Sequence, residues 1–106
     1  MKKNELNKNV ILNEDAVKNI HCDEITAVIN SNDSPKAMMN KLDDYHGSDI
    51  AEVISTFSVL NRRKFYRVCS LEMLAEIFEY LDEKQAGEYL REMDIHKASE
   101  LISALD

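Results

Sequence analysis

Ser58, Ser70, Asp82, Asp94 and Asp106 stand 12 residues apart, five in succession, and Ser34 keeps the same phase further upstream. Side chains of these types accept hydrogen bonds from the free backbone N–H groups that open a helix. Ser, Thr, Asp and Asn make up about a quarter of the chain, so five in register is a pattern rather than chance. A spacing of 12 leaves room for one helix of about nine or ten residues, roughly 14 Å long, and a tight corner. Pro35 after Ser34 suits the first helical position. His46 interrupts the series, and the expected start there is Ser48, after Gly47.

Apolar residues keep the same phase. Phe57, Cys69, Leu81, Met93 and Leu105 each precede a cap, and Leu74, Ala86 and Ala98 follow four residues after one. That pairing resembles a hydrophobic staple, which fixes the angle at which the chain enters a helix. Phe65 and Tyr66, Ile77 and Phe78, Tyr89 and Leu90, and Leu101 and Ile102 complete one helical stripe per unit.

The units alternate. DIAEVISTFS from Asp49, MLAEIFEYLD from Met73 and KASELISALD from Lys97 align at a spacing of 24. A helix this short is marginal alone and must lay its stripe on neighbours. The predicted fold is therefore all-α, a right-handed superhelical stack of short antiparallel helices with a 24-residue, two-helix repeat. Two glycines and one proline are too few for the turns of a β-sandwich. Residues 1–12, rich in Asn and Lys, read as frayed, and the repeat domain as 13–106. Asn13 is a candidate cap there, with Val17, Ile20, Ile25 and Val28 facing inward. Met38, Met39, Leu42 and Tyr45 give the next helix its apolar side, and the methionines read as core filling.

Charge narrows the function. The net charge of −7 falls in residues 71–106, because residues 1–70 hold ten acids and ten bases. Nucleic acid is repelled by such a surface, whereas a cation or basic protein face is attracted. No apolar run approaches membrane-spanning length, and no signal-type apolar segment opens the chain. Two cysteines 47 residues apart give neither a disulfide framework nor a zinc pattern and read as buried apolar residues in a reducing cytoplasm. No nucleophile–base arrangement and no glycine-rich phosphate loop is present, so an enzyme is not expected.

Glu72, Glu76 and Glu79 are the candidate metal ligands. Their i, i+4, i+7 spacing places them within about 60° on one helix face, opposite Leu74, Ile77, Phe78 and Leu81. Like charges so spaced repel by about 0.2–0.5 kcal/mol per pair, and a divalent cation relieves that. Mg²⁺ keeps several waters and needs only one or two protein carboxylates. The alternative is an ordinary solvated helix face without a cleft. Asp82, Asp94 and Asp106 are explained by capping, Asp82 with Gln85 in a capping box. The one basic cluster, Arg62, Arg63, Lys64 and Arg67 with Tyr66 between them, reads as a solvated face or a contact for an acidic partner, including the acidic stripe of a second copy.

At YHGSDIAEVI (45–54) and MLAEIFEYLD (73–82) the sequence resembles the cytoplasmic N-terminal domain of MgtE-type magnesium transporters. His46, Asp49, Ile50, Ala51 and Glu52 match that family's opening motif, with Gly47 in place of its usual proline, and Ala75, Glu76 and Ile77 match a recurrent segment. The resemblance covers about 34–106. It implies a cytoplasmic superhelix that acts as a sensor rather than a pore. The resemblance further implies that magnesium, bound weakly between it and a cystathionine-β-synthase (CBS) type domain within a transporter dimer, holds the closed state. It also implies that Glu76 lies at a magnesium-dependent interface. The contrasting reading is a helical-repeat protein-interaction module without a metal role, comparable to the stacks of short helices in flagellar motor-switch proteins.

Overall fold

The computed structural model describes residues 14–105. Seven helices and no strand occur among them: α1 (Glu14–Ile29), α2 (Pro35–Leu42), α3 (Gly47–Ile54), α4 (Val59–Val68), α5 (Leu71–Phe78), α6 (Glu83–Glu92) and α7 (Ile95–Ala104). The expectations for 1–12, Asn13, Asp106 and the Val17 side chain fall outside the described residues.

The capping series starts the helices where the spacing places it. Ser34 Oγ accepts from Ala37 N–H at 3.2 Å, Ser58 Oγ from Asn61 N–H at 3.1 Å, and Ser70 Oγ from Met73 N–H at 3.1 Å. Asp82 Oδ1 accepts from Gln85 N–H at 2.7 Å, and Asp94 Oδ2 from His96 and Lys97 N–H at 3.1 and 3.3 Å. One start differs from expectation. α3 begins at Gly47, not after Ser48, and its N-cap is His46, whose side chain makes no capping bond. The 12-residue phase is thus kept through His46, and the capping side chain comes from elsewhere in the fold.

The 24-residue period has a local cause. Helices α3 and α5 have 8 residues, α4 and α6 have 10. The longer corners, 55–58 and 79–82, leave their helix through αR residues, Ser55 at ψ −20 and Glu79 at ψ −21. The short corners turn at once into extended backbone, at Cys69 with ψ 137 and Met93 with ψ 159. No described residue has positive φ, which is why a chain of many corners manages with two glycines.

Packing skips one helix at a time. α1, α3, α5 and α7 contact in sequence to form one layer, and α2 lies against α4 in the other. α6 joins that second layer through side chains of α4 described below. This is consistent with the expected superhelical stack. Ile25, Leu42, Ile50, Ile54, Phe65, Leu74, Ile77 and Leu101 are all fully buried between the layers, each contributing about 1.5–3 kcal/mol by leaving water. Phe57, Cys69 and Met93 before the caps are buried as well, as are Met38 and Met73. Two stripe positions depart from expectation: Ile20 and Ile102 are exposed, while Leu101 beside Ile102 is fully buried.

The basic cluster of α4 is not one solvated face. Arg62 reaches α6 and forms a two-pronged ion pair with Glu92, Nε to Oε1 at 2.8 Å and Nη2 to Oε2 at 2.7 Å. Its Nη1 donates to the Phe57 carbonyl at 2.7 Å, and its guanidinium lies 4.9 Å from the Tyr89 ring centre. Tyr66, buried, donates its hydroxyl to Glu92 Oε1 at 2.8 Å, so it offers no ring to an external base or partner. Arg63 and Arg67 remain exposed. Lys97 of α7 donates to the Tyr66 and Cys69 carbonyls, the latter at 2.8 Å, closing the last turn of α4.

Candidate functional site

α5 places the three candidate ligands. Ser70 fixes its start, and burial of Met73, Leu74, Ile77 and Phe78 fixes its rotation. Glu72, Glu76 and Glu79 therefore face outward. With Leu71, Ala75 and Ala104 of α7 they line one open groove.

The electrostatics of the groove are one-sided. α3 and α5 together carry Asp49, Glu52, Glu72 and Glu76 and no Lys or Arg, whereas α4 carries four bases and no acid. Glu72 in the first turn of α5 complements the helix dipole. Glu76 and Glu79 lie at the opposite, negative end, where α5 has no basic residue in its last turn and where added negative charge costs about 0.3–1 kcal/mol. Among the described residues, no Lys or Arg lies within ion-pair distance of these three carboxylates; the ion pairs there are Lys41–Asp33 and Arg62–Glu92. Also among the described residues, no group of three His, Cys, Asp or Glu is placed to hold a metal ion together; this holds for Glu72, Glu76 and Glu79 as it does for His21, Cys22, His46, Cys69 and His96. What the row offers is hard oxygen donors in an open setting. Such donors suit a largely hydrated Mg²⁺ held by one or two carboxylates, and do not suit a desolvated, tightly caged ion.

Glu76 makes a contact that its spacing did not reveal. Its Oε2 accepts from Gly47 N–H at 3.2 Å, so a carboxylate of α5 supplies the capping contact that His46 does not. The other unanticipated polar feature is the Arg62–Glu92–Tyr66 cluster. A signal for it existed: Arg62 occupies the fourth position after the Ser58 cap, where Leu74, Ala86 and Ala98 stand in other units. A cation at an inward position requires a buried partner.

A layered stack of short capped helices with an acidic groove on one helix defines a helical-repeat domain. The sequence profile of the MgtE intracellular N domain matches residues 45–106, more than half of the chain, and the chain belongs to that family. It is a transporter-associated domain family, not an enzyme family. No curated protein and no solved structure matches the chain. No helix among the described residues is long and apolar enough to cross a membrane.

Proposed function

We propose that this chain is a cytoplasmic regulatory domain of magnesium transport, sensing the cation through Glu76 with Glu72 and Glu79 and lying outside the ion pathway. The observation that carries the reading is the row of three carboxylates on one groove of α5 with no cationic side chain in ion-pair reach among the described residues. Mutual repulsion along the row, and the negative end of the α5 dipole at Glu76 and Glu79, raise the free energy of these carboxylates without a cation. A hydrated Mg²⁺ lowers it by charge neutralisation. One or two carboxylates bind an ion of this kind weakly. A second acidic surface, from a CBS-type domain or a second subunit, completes the coordination, and the ion then acts as a removable bridge between the two. Magnesium abundance thereby sets how tightly the domains pack. In this role the residues of the chain bind and orient; they perform no covalent chemistry.

Thermal unfolding in MgCl₂, compared with NaCl at equal ionic strength, tests this. A ligand that binds the folded chain raises the midpoint by an amount that follows RT ln(1 + [L]/Kd), and the NaCl arm accounts for simple screening of the −7 charge. The expected result is a magnesium-specific rise that Glu76→Gln removes. Equal gains in both salts would reject the sensor reading in favour of a protein-interaction module.

A further inference from the structure

We propose that one face of α7, formed by Ile95, Ala98, Ser99 and Ile102, is where two copies of this chain meet, α7 against α7 and antiparallel about a two-fold axis. This stands apart from the cation-sensing reading and does not rest on it.

The 24-residue repeat lets the same position be followed along the stack. Ile54 of α3 is fully buried, Phe78 of α5 is 6% exposed, and Ile102 of α7 is 56% exposed. Gly47 is buried, Leu71 is half-buried, and Ile95 is 73% exposed. Ala51, Ala75 and Ser99 likewise pass from buried through half-buried to exposed. Leu101 stays fully buried, as Ile77 does one repeat earlier, so α7 is seated normally on the stack and the loss of cover concerns one face. In α5 that face, through Leu71 and Ala75, shares a groove with Ala104 of α7. Helices α3 and α5 are each followed by another helix of their layer. Among the described residues no helix follows α7. A stack of repeats needs a polar outer face at its ends to stay soluble; this end carries two isoleucines.

Spacing and charge single out a second copy as the occupant. Ile95, Ala98, Ser99 and Ile102 follow i, i+3, i+4, i+7 and so share one helix face. The face reads alike in both directions: isoleucine, a pair of small residues, isoleucine, symmetric about the point between Ala98 and Ser99. A two-fold axis through that point sets each Ile95 against the partner's Ile102, with small residues on small residues, where helix axes can approach closely. Such a contact is isologous and closes at two copies. Elsewhere two copies repel, because residues 71–106 carry the whole −7. α7 holds one acid and one lysine. Glu100 lies about 140° around the helix from Ile95, and Lys97 donates to the Tyr66 and Cys69 carbonyls. The four residues of the face carry no charge, so like copies meet there without pressing carboxylates together. A basic partner would seek the carboxylates instead.

Analytical ultracentrifugation of the chain in EDTA, from about 10 μM to about 1 mM as a small contact of the transient class requires, tests the proposal. The expected mass rises from 12.2 kDa towards twice that value and no further. The contact is apolar and the surrounding charge is alike, so added NaCl strengthens association or leaves it unchanged. Ile95→Asp and Ile102→Asp each put a carboxylate into the contact and weaken association by about tenfold or more. Both positions are exposed, so the fold persists; far-UV circular dichroism checks this. Leu60→Asp changes an α4 residue that is 65% exposed and outside the face, and it keeps wild-type association. A chain monomeric to about 1 mM overturns the proposal and leaves the face to a different partner. Association abolished by NaCl also overturns it, pointing to the basic cluster of α4 on the acidic row of α5. So does an equal loss in Leu60→Asp, wild-type association in both isoleucine variants, or growth beyond dimers.

Discussion

Replacing Glu92 by alanine removes the acceptor on which the second layer converges. Three bonds end on its carboxylate: two from Arg62, at 2.8 and 2.7 Å, and one from the Tyr66 hydroxyl at 2.8 Å. The Arg62 and Glu92 side chains are only 13% and 14% exposed, so water does not readily take over. The buried Tyr66 hydroxyl, left without a partner, costs about 1–3 kcal/mol. The guanidinium keeps the Phe57 carbonyl and the Tyr89 ring, which limits its own penalty to about 1–2 kcal/mol. Together these give about 2–5 kcal/mol, overlapping what breaking a buried ion pair costs. For a domain of this size the midpoint falls by on the order of 10–30 °C. Glu92→Gln, which keeps a neutral acceptor, loses less. The pair also has a pH signature. Hydrogen bonds from Arg62, foremost, hold the Glu92 carboxyl below its ordinary value of 4.5. The folded chain thus binds this proton more weakly than the unfolded chain does. Its stabilisation is complete above about 4.5 and is lost as pH falls through the depressed folded value. Urea unfolding between pH 3 and 7 should show the wild type losing stability on acidification more steeply than Glu92→Gln. A Glu92→Ala loss under about 1 kcal/mol, typical of an exposed pair, or parallel pH profiles, would refute the reasoning.

Two further predictions concern the α4–α5 corner. Lys97→Met keeps the aliphatic stem but removes the donor to the Tyr66 and Cys69 carbonyls; a loss of about 1–2 kcal/mol in chemical unfolding is expected, and unchanged stability would show the contact to be incidental. Burial, above all, pushes the Cys69 thiol up to about 12, so in the folded chain at mildly alkaline pH a disulfide reagent should modify half-buried Cys22 promptly and Cys69 only on unfolding; equal rates would contradict the packing at that corner.

The spacing of caps and the stripe positions fix each helix locally, and the sequence alone locates them. Ser58, Ser70, Asp82 and Asp94 bond to amides two or three residues away, so their roles are written in short-range order. The outward direction of Glu72, Glu76 and Glu79 is legible for the same reason: burying Leu74, Ile77 and Phe78 leaves α5 only one face for charge. What no local pattern contains is the partner of a side chain that crosses between helices. Arg62 meets Glu92 thirty positions on, and Glu76 meets Gly47 across twenty-nine. Both contacts depend on which helices become neighbours when α3 packs on α5 and α4 meets α6. The groove beneath the glutamates, bounded by Ala104, likewise exists only once α7 lies beside α5. Short-range hydrogen bonding and amphipathic spacing thus determined the helices, while long-range packing decided how their charges are shared.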